Sequence, residues 1–425
     1  MKKHDFFMSQ NSFNFPVIIS FLDTQNKRIL FFIADDFICG KIICMKTYDV
    51  IIIGAGAGGL KAAAELRSRK KSVLIIDMGD KPARKVAISG GGKCNFTNMS
   101  ADYTHYFGKN PKFVRSALAQ FSPNDTLNWV KKHKIKYYEK EPGRFFCKDG
   151  AIDVVNALMD DIGNTEIKYN TIVKDVIKDN DIFTIKTNHG EFQSQSLVIA
   201  SGSVSWETVG VSNIGHIIAK KFGHKIEPIR PALCAIKTKH FGADLAGISL
   251  PVEIKINKHI ICDDLLFTHF GIGGPATYRA SLFDTHKFTI NFAPDLNIPE
   301  FLLNAKRTNG KRSLTNIVAE FLPQKLARFI CGDTKNIADY KDSQINEVAK
   351  RITQFEIDDA KPVGLQSAEV TAGGVATDKI SSKTMESMLC SKLYFVGEVM
   401  DIAGDLGGFN LQWAFSSGFV AGNNA

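Results

Sequence analysis

The strongest pattern in the chain is the apolar, β-branched run Asp49-Val-Ile-Ile-Ile53, which passes directly into Gly54-Ala-Gly56-Ala57-Gly58-Gly59. A continuous apolar run, as opposed to an alternating one, predicts a strand buried on both faces. Leu60–Leu66 follows as an Ala-rich helix whose small side chains allow close packing on a sheet. A second apolar strand, Ser72–Ile76, ends in Asp77. Strand, glycines, helix, strand and terminal acid in this order describe a dinucleotide-binding unit. Gly54 permits the tight turn, Gly56 lets the backbone approach a pyrophosphate, and Gly59 lets helix and strand pack closely; Ala57 and Gly58 complete the loop. The helix N-terminus offers unpaired N–H groups and partial positive charge to phosphates. Asp77 is placed to accept hydrogen bonds from ribose hydroxyls.

Two more strand endings extend the set. Ser196–Ala200 runs into Ser201-Gly202, small residues that admit a cofactor. Leu393–Val396 ends at Gly397-Glu398, with Glu398 placed for ribityl hydroxyls. The glycines through Gly408, with Asn410 and Leu411, open a C-terminal helix whose N-terminus is expected at the N1–C2=O edge of a flavin. Earlier in the chain, Arg84, Lys85 and the run Ser89-Gly90-Gly91-Gly92-Lys93-Cys94-Asn95 predict an open basic loop. It would be a second clasp on phosphates and on the flavin's polar edge. Val173 belongs to the same expected cofactor-binding set. A single glycine fingerprint admits FAD or NAD; the features at the two ends favour FAD.

Composition narrows the class without deciding the function. The 425 residues are 44% hydrophobic and 23% charged, which excludes a disordered tail, a collagen-like chain and a disulfide miniprotein. The formal charge of +9 admits nucleic acid or anionic membrane as a partner. Lysines are interspersed with acids through most of the chain, and the clusters Lys131–Lys134 and Lys306–Arg312 are too short to establish an RNA face. The eight cysteines include no C-x-x-C pair, so no metal site is expected and a reducing cytosol is. With no partner along the chain, Cys94 is not expected to run a disulfide cycle. Residues 1–44 are Phe- and Ile-rich, too broken to span a bilayer or serve as a signal peptide. They read as a poorly ordered or non-native extension before Met45.

Arg84–Asn98, Ala368–Val375, Thr384–Ser387 and Gly397–Gly418 together resemble one group of bacterial flavoproteins, the aminoacetone-oxidase or bile-acid-reductase (BaiN)-like family. The likeness runs from about Asp49 to the C-terminus. It implies an α/β fold: a split, glutathione-reductase-type FAD-binding Rossmann domain (45–229 and 366–425) interrupted by a β-barrel-plus-helical substrate domain (230–365). Within the insert, Val252–Ile256 and Phe288–Phe292 read as strands, and Ile298–Ala305, Ser313–Cys331 and Ser343–Phe355 as helices. The sequence departs from the family at Gly273-Gly274-Pro275, where Ser-Gly-Pro is usual, and at Glu207, where proline is.

The chemistry expected is hydride exchange at flavin N5 with a small organic substrate, favouring NAD(P)H-fed reduction of an activated double bond. NAD(P)H would dock transiently. An amine or amino-ketone oxidase using O2, or an RNA-associated flavoprotein, are the alternatives. His269, ahead of the Gly-Gly-Pro turn, is the catalytic candidate, with Tyr278 and Glu369 as other proton handlers. A histidine that merely caps its turn is the competing reading of His269.

Overall fold

The computed structural model describes residues 46–206, 212–284 and 286–425, together with the backbone of three strands at Val17–Leu22, Arg28–Ala34 and Phe37–Cys39. Those three strands pair antiparallel with one another. The rest of the expected extension 1–44 and Glu207 lie outside the described residues.

The first sheet is built from β1 (Thr47–Ile53), β2 (Val73–Ile76), β3 (Glu166–Lys168), β4 (Val173–Asp179), β5 (Ile182–Thr187), β6 (Gly190–Ile199) and β7 (Leu393–Phe395). Its spatial order is β3-β2-β1-β6-β5-β4, with β7 also on β6. β3, β2, β1, β6 and β7 run parallel, while β4, β5 and β6 form an antiparallel meander. β6 is long enough to serve both arrangements. Its first residues, Gly190–Ser194, pair with β5, and Leu197–Ile199 pair with Leu393–Phe395 of β7. The C-terminal segment therefore completes the sheet that begins at Thr47. The expected apolar runs lie at its centre, and every residue of β2 and β7 is buried.

Helix α1 (Ala57–Ser68) covers this sheet and crosses the C-terminal helix α2 (Phe409–Asn424). The crossing depends on absent side chains. A Cβ on Gly418 would stand 2.4 Å from the Gly58 carbonyl oxygen, and one on Gly422 would stand 2.6 Å from that of Ala62.

The middle of the chain forms a second core. One hydrophobic cluster spans residues 48–219 and 375–425, and another spans 236–360. Ile226–Ala232 and Val370–Val375 carry the chain between them and pair antiparallel. The inserted unit holds a seven-stranded antiparallel sheet. Its edges are Phe355–Ile357 and Lys361–Pro362. Only residues 358–360 connect those edges, a reach of about 14 Å, so the sheet must curl until they nearly meet. No ladder joins them among the described residues, so the strands form an open sheet.

Helices Ile298–Thr308 and Asp342–Thr353 fall where expected. The single helix expected over Ser313–Cys331 is instead two, Leu314–Val318 and Gln324–Cys331. Pro323 lacks an N–H and restricts the residue before it, so the helix stops and restarts. No described helix is long and apolar enough to cross a membrane.

Candidate cofactor and active site

The carboxyl ends of β1, β2, β6 and β7 converge on one cleft. Gly54 has φ +112°, and a Cβ there would lie 2.3 Å from the Ala200 oxygen; a Cβ on Gly59 would lie 2.0 Å from the Gly54 oxygen. These two glycines are demanded by the fold itself. Gly56 differs, since a Cβ there would meet nothing within 4 Å. It is also the N-cap of α1, with no side chain capping the helix and no acid in its first turn. The first-turn N–H groups and the helix dipole thus face open space bounded by glycine, an anion cradle.

Asp77 stands at the end of β2 as expected. Its Oδ2 accepts from the Ala55 N–H (2.6 Å), its Oδ1 accepts from the Gly79 N–H (2.7 Å), and Arg84 lies 3.6 Å away. Thr171 and Asn170 donate backbone N–H groups to the carbonyls of Asp77 and Gly79. That ties the approach to Val173 to the same end of the cleft.

The segment expected as an open basic loop is instead helical over Arg84–Ile88. It then breaks at Ser89 (ψ 150°) into left-handed Gly90, Gly91 and Gly92 (φ 57°, 64° and 80°). Gly91 and Gly92 would accept a Cβ without contact, whereas Gly90 packs on Phe146. Ser89 Oγ donates to the Val86 carbonyl, and Lys93 Nζ donates to the carbonyl of Lys148. These two side chains are used by the protein.

Cys94 (φ +47°) is fully buried directly beneath this turn. The structure overturns the expectation that it has no partner. Cys147, also fully buried, is its neighbour, and the Cys94 thiol together with burial pushes the Cys147 thiol up. Asn95 donates its amide to the Phe145 carbonyl and accepts from the Gly408 N–H (3.2 Å). It therefore links the glycine turn to the start of α2.

Lys85, expected on phosphate, and Glu398, expected on ribityl hydroxyls, pair with each other at 2.8 Å. Ser205 Oγ donates to Glu398 Oε1 (2.9 Å), which also accepts the Thr371 N–H (2.9 Å). Asn410 exchanges hydrogen bonds with the backbone of Gly404, so it folds the 404–410 loop and does not cap α2. Gly408 (φ 95°) caps α2 with no side-chain acceptor, so that N-terminus is open. Gly397 (φ 71°) donates to Ser417 Oγ. Leu411 packs on the Rossmann core, and Ala200 and Gly202 line the end of β6, Gly202 facing Glu398.

Sequence reading missed Ser203, Ser205 and Thr371. Ser203 Oγ and Thr371 Oγ1 are buried without a hydrogen-bond partner among the described residues. Orphaned buried hydroxyls are costly; Thr268 and Thr277 in the inserted unit carry them too, and Thr371 is the one tied to Glu398, through its N–H. With the uncapped α1 and α2 N-termini and the space above Gly56, Gly91 and Gly92, these groups fit an adenine dinucleotide carrying a flavin.

The proton-handling candidates separate. His269 sits at the exposed two-residue turn between strands His259–Thr268 and Gly271–Gly273. It has no hydrogen-bond or ion-pair partner among the described residues, and the structure does not bring it to the Lys85–Glu398 cluster. Glu369 and Tyr278 lie close enough to influence each other, and Tyr278 packs on an apolar cluster that includes Leu282, Val370 and Ala403. Glu369 precedes strand Val370–Val375, is solvent-accessible, and feels Lys85. Burial among its neighbours pushes its carboxyl above the ordinary value, with Lys85 pulling the other way. Burial first and Glu369 second raise the Tyr278 hydroxyl.

Residues 48–424 match the profile of the HI0933-like protein Rossmann domain. The chain belongs to this family. It is an FAD-dependent oxidoreductase. Among relatives, the ribosomal RNA dihydrouridine synthase of Escherichia coli (strain K12) is 37% identical over 390 residues, covering 88% of this chain and 97% of that protein. The Haemophilus influenzae protein of the same name is 39% identical over 387 residues, 87% and 96% of the two chains. The 3-dehydro-bile acid delta(4,6)-reductase of Clostridium scindens is 28% identical over 404 residues, 88% and 98% of the two.

Proposed function

We propose that this family member is an NAD(P)H-fed reductase of a carbon–carbon double bond conjugated to a carbonyl, and that the bond is C5=C6 of uracil in ribosomal RNA. The substrate reading rests on the 37% and 39% identity, over nearly their whole lengths, to two proteins named for making dihydrouridine in ribosomal RNA. Dihydrouridine is uridine with one hydride and one proton added across C5=C6. The bile-acid relative is named for reduction of double bonds in a different substrate, so one chemistry serves both. The sequence favoured a small organic substrate over RNA; in this reading the order is reversed.

When bound, FAD supplies a hydride from N5. The other half of the addition is a proton, and Glu369 is the donor in this reading. Its carboxyl is raised above the ordinary value while the side chain still reaches solvent, so it can give a proton and take up another, which suits a general acid. Tyr278 is placed to donate to the substrate carbonyl and draw electron density from the double bond. The α2 N-terminus offers positive potential to the charge that develops on the ring. Lys85, Glu398 and Ser205 fix one another, so this part of the cleft is organised before substrate arrives. A uracil held in a duplex would have to leave its stack to enter.

The test is unmodified transcribed ribosomal RNA with FAD-loaded protein and NADH or NADPH, digested to nucleosides and weighed. A two-hydrogen mass gain on uridine supports the proposal. A flavin bleached by nicotinamide and reoxidised by cyclic enones, with no change in RNA, would restore the small-molecule reading, which the bile-acid relative favours. Bleaching by aminoacetone in place of nicotinamide would make it an oxidase.

A further inference from the structure

The chain's charge is unevenly spread. Residues 93–148 hold eleven Lys and Arg against four Asp and Glu, a net +7 within a chain of net +9. This segment lies between β2 and β3. It covers the glycine turn through strands Asn95–Asn98, Arg144–Cys147 and Tyr137–Glu141, which pair in that order. Lys109, Lys112, Arg115, Lys131, Lys132, Lys134, Lys136, Lys140 and Lys148 are exposed.

Some of that charge is answered locally. Lys136 pairs with Asp149 at 3.2 Å, and Asp149, Asp153 and Asp160 share a surface hollow with Lys134 and Lys136. Lys109, Lys112, Lys131, Lys132, Lys140 and Lys148 have no ion-pair partner among the described residues. Exposed cations without ion-pair partners, concentrated in one segment of the chain, are what a polyanion's docking surface is built from, since they release counterions from phosphates.

The hairpin Tyr137–Cys147 adds what charge alone lacks. Tyr138 is 38% exposed and stacks on Phe146, with ring centroids 5.8 Å apart and planes 20° apart. The Phe146 ring in turn lies where a Cβ on Gly90 would meet it at 3.2 Å. On the neighbouring strand, Arg144 packs against Gly407, one residue before the cap of α2. Exposed Tyr138, backed by half-buried Phe146, therefore stands at the rim of the proposed flavin cradle, with Lys140 and Lys148 at the two ends of the hairpin. An apolar exposed ring has no need to be there for FAD, whose phosphates belong at α1. A ring at the rim of a base-modifying site is a stacking platform.

We propose that this hairpin and its lysines are the RNA-docking surface, with Tyr138 stacking on a base next to the target uridine and Lys140 and Lys148 on flanking phosphates. This rests on the ribosomal RNA reading above. It is tested by fluorescence anisotropy of the FAD-loaded full chain with a labelled 20-nucleotide single-stranded RNA containing uridines, titrated at several salt concentrations. The Lys140→Ala/Lys148→Ala variant is expected to bind more weakly, with its salt slope reduced in magnitude by about 1.4, roughly 0.7 for each lost phosphate contact on a single strand. Tyr138→Ala is expected to weaken binding roughly tenfold with the slope unchanged, because stacking releases no counterions. Lys255→Ala/Lys258→Ala, removing exposed cations on the inserted unit, is expected to leave the slope as it is. FAD content and melting temperature of each variant show that it is folded. If the hairpin variants bind like the wild type while the wild type binds RNA, this surface is the wrong one and the ribosomal RNA reading stands. If the wild type binds no RNA even at low salt, both fall together.

Discussion

Glycines at 56 and 59 look alike in sequence, but substitution should separate them. A Cβ at Gly59 would lie 2.0 Å from a backbone oxygen with no freedom to move, whereas at Gly56 it would point into empty space. Gly59→Ala is expected to fail to fold or to lose several kcal/mol, beyond the 1–3 kcal/mol of ordinary overpacking. Gly56→Ala should fold, melt near the wild-type apo temperature, and bind FAD at least tenfold more weakly by flavin fluorescence titration. Equal melting and equal FAD affinity in Gly56→Ala would remove the pyrophosphate from that cradle. The sequence showed both glycines and their roles because a turn fingerprint is local. It hid the pairing of Cys94 with Cys147, which lie far apart in the chain and meet only when Asn95–Asn98 pairs with Arg144–Cys147. Both thiols are buried, so a reagent cannot reach them in the folded chain. Among the described cysteines, native alkylation followed by peptide mass mapping should label exposed Cys262 first and the 94/147 pair only on unfolding. Early labelling of the pair would contradict this. His216 and His224 show the same principle in pH. Burial lowers both, and each leaves Nδ1 without a partner. The unfolded chain takes up protons near pH 6.5 that the native state refuses, so stability is full above that pH and falls as pH drops through and below it. The slope is up to about 1.4 kcal/mol per pH unit for each histidine. Urea unfolding at pH 7.5 and 5.5 should show a smaller loss in His224→Gln than in the wild type. An identical loss would mean that His224 is protonated when folded.

At the scale of elements, legibility followed locality. β1, β2, the end of β6 and β7 were readable because strands buried on both faces must be apolar at every position, a signal that needs no knowledge of partners. The hairpin Tyr137–Cys147 is not legible because its strands, Tyr-Tyr-Glu-Lys-Glu and Arg-Phe-Phe-Cys, show neither a period-two alternation nor a continuous apolar run. The basic glycine run was read as open loop because Gly and Ser argue against helix. Val86, buried under the segment, holds the first turn helical until the glycines release it. The order of strands in the inserted sheet was not readable, since pairing there joins residues more than 100 apart, such as Lys237 with Lys361. The α1–α2 crossing was half visible. Its glycines can be seen, but the contact of Gly418 with Gly58 depends on how two distant helices lie. Gly418→Ala is expected to cost about 1–3 kcal/mol in urea unfolding. It should also weaken FAD binding, because relief of a 2.4 Å clash must shift Gly58, which belongs to the phosphate loop. A variant that loses stability and keeps full FAD affinity would show that α1 can move without its loop.

For the molecule as a whole, the question is how the inserted unit and the Rossmann unit are held in the one arrangement that makes a cleft. Their cores are separate, and one polar contact spans the boundary at the site itself. Arg279, at the end of helix Gly274–Ala280, grips Asp405 with Nε at 3.1 Å from Oδ1 and Nη2 at 3.0 Å from Oδ2. Asp405 is buried, and its carboxyl is held below the ordinary value. Burial opposes this, while His105 and Arg279 produce it. A carboxylate so held contributes stability above about pH 4 and loses it as pH falls through its folded value. Asp405 also opens the loop that leads through Gly407 and Gly408 into α2, so the grip fixes both the inserted helix and the proposed flavin edge. Removing Arg279 leaves Asp405 buried with the Leu406 N–H at 2.7 Å and His105 at 3.7 Å. Arg279→Met is expected to cost about 1–3 kcal/mol, Asp405→Asn a similar amount, and the double variant less than their sum by about 1 kcal/mol or more. Strict additivity would mean that the pair is not coupled. If the contact also sets the cleft, both single variants should release FAD faster than the wild type in stopped-flow fluorescence. Unchanged FAD release with non-additive stability would confine the pair to joining the two units.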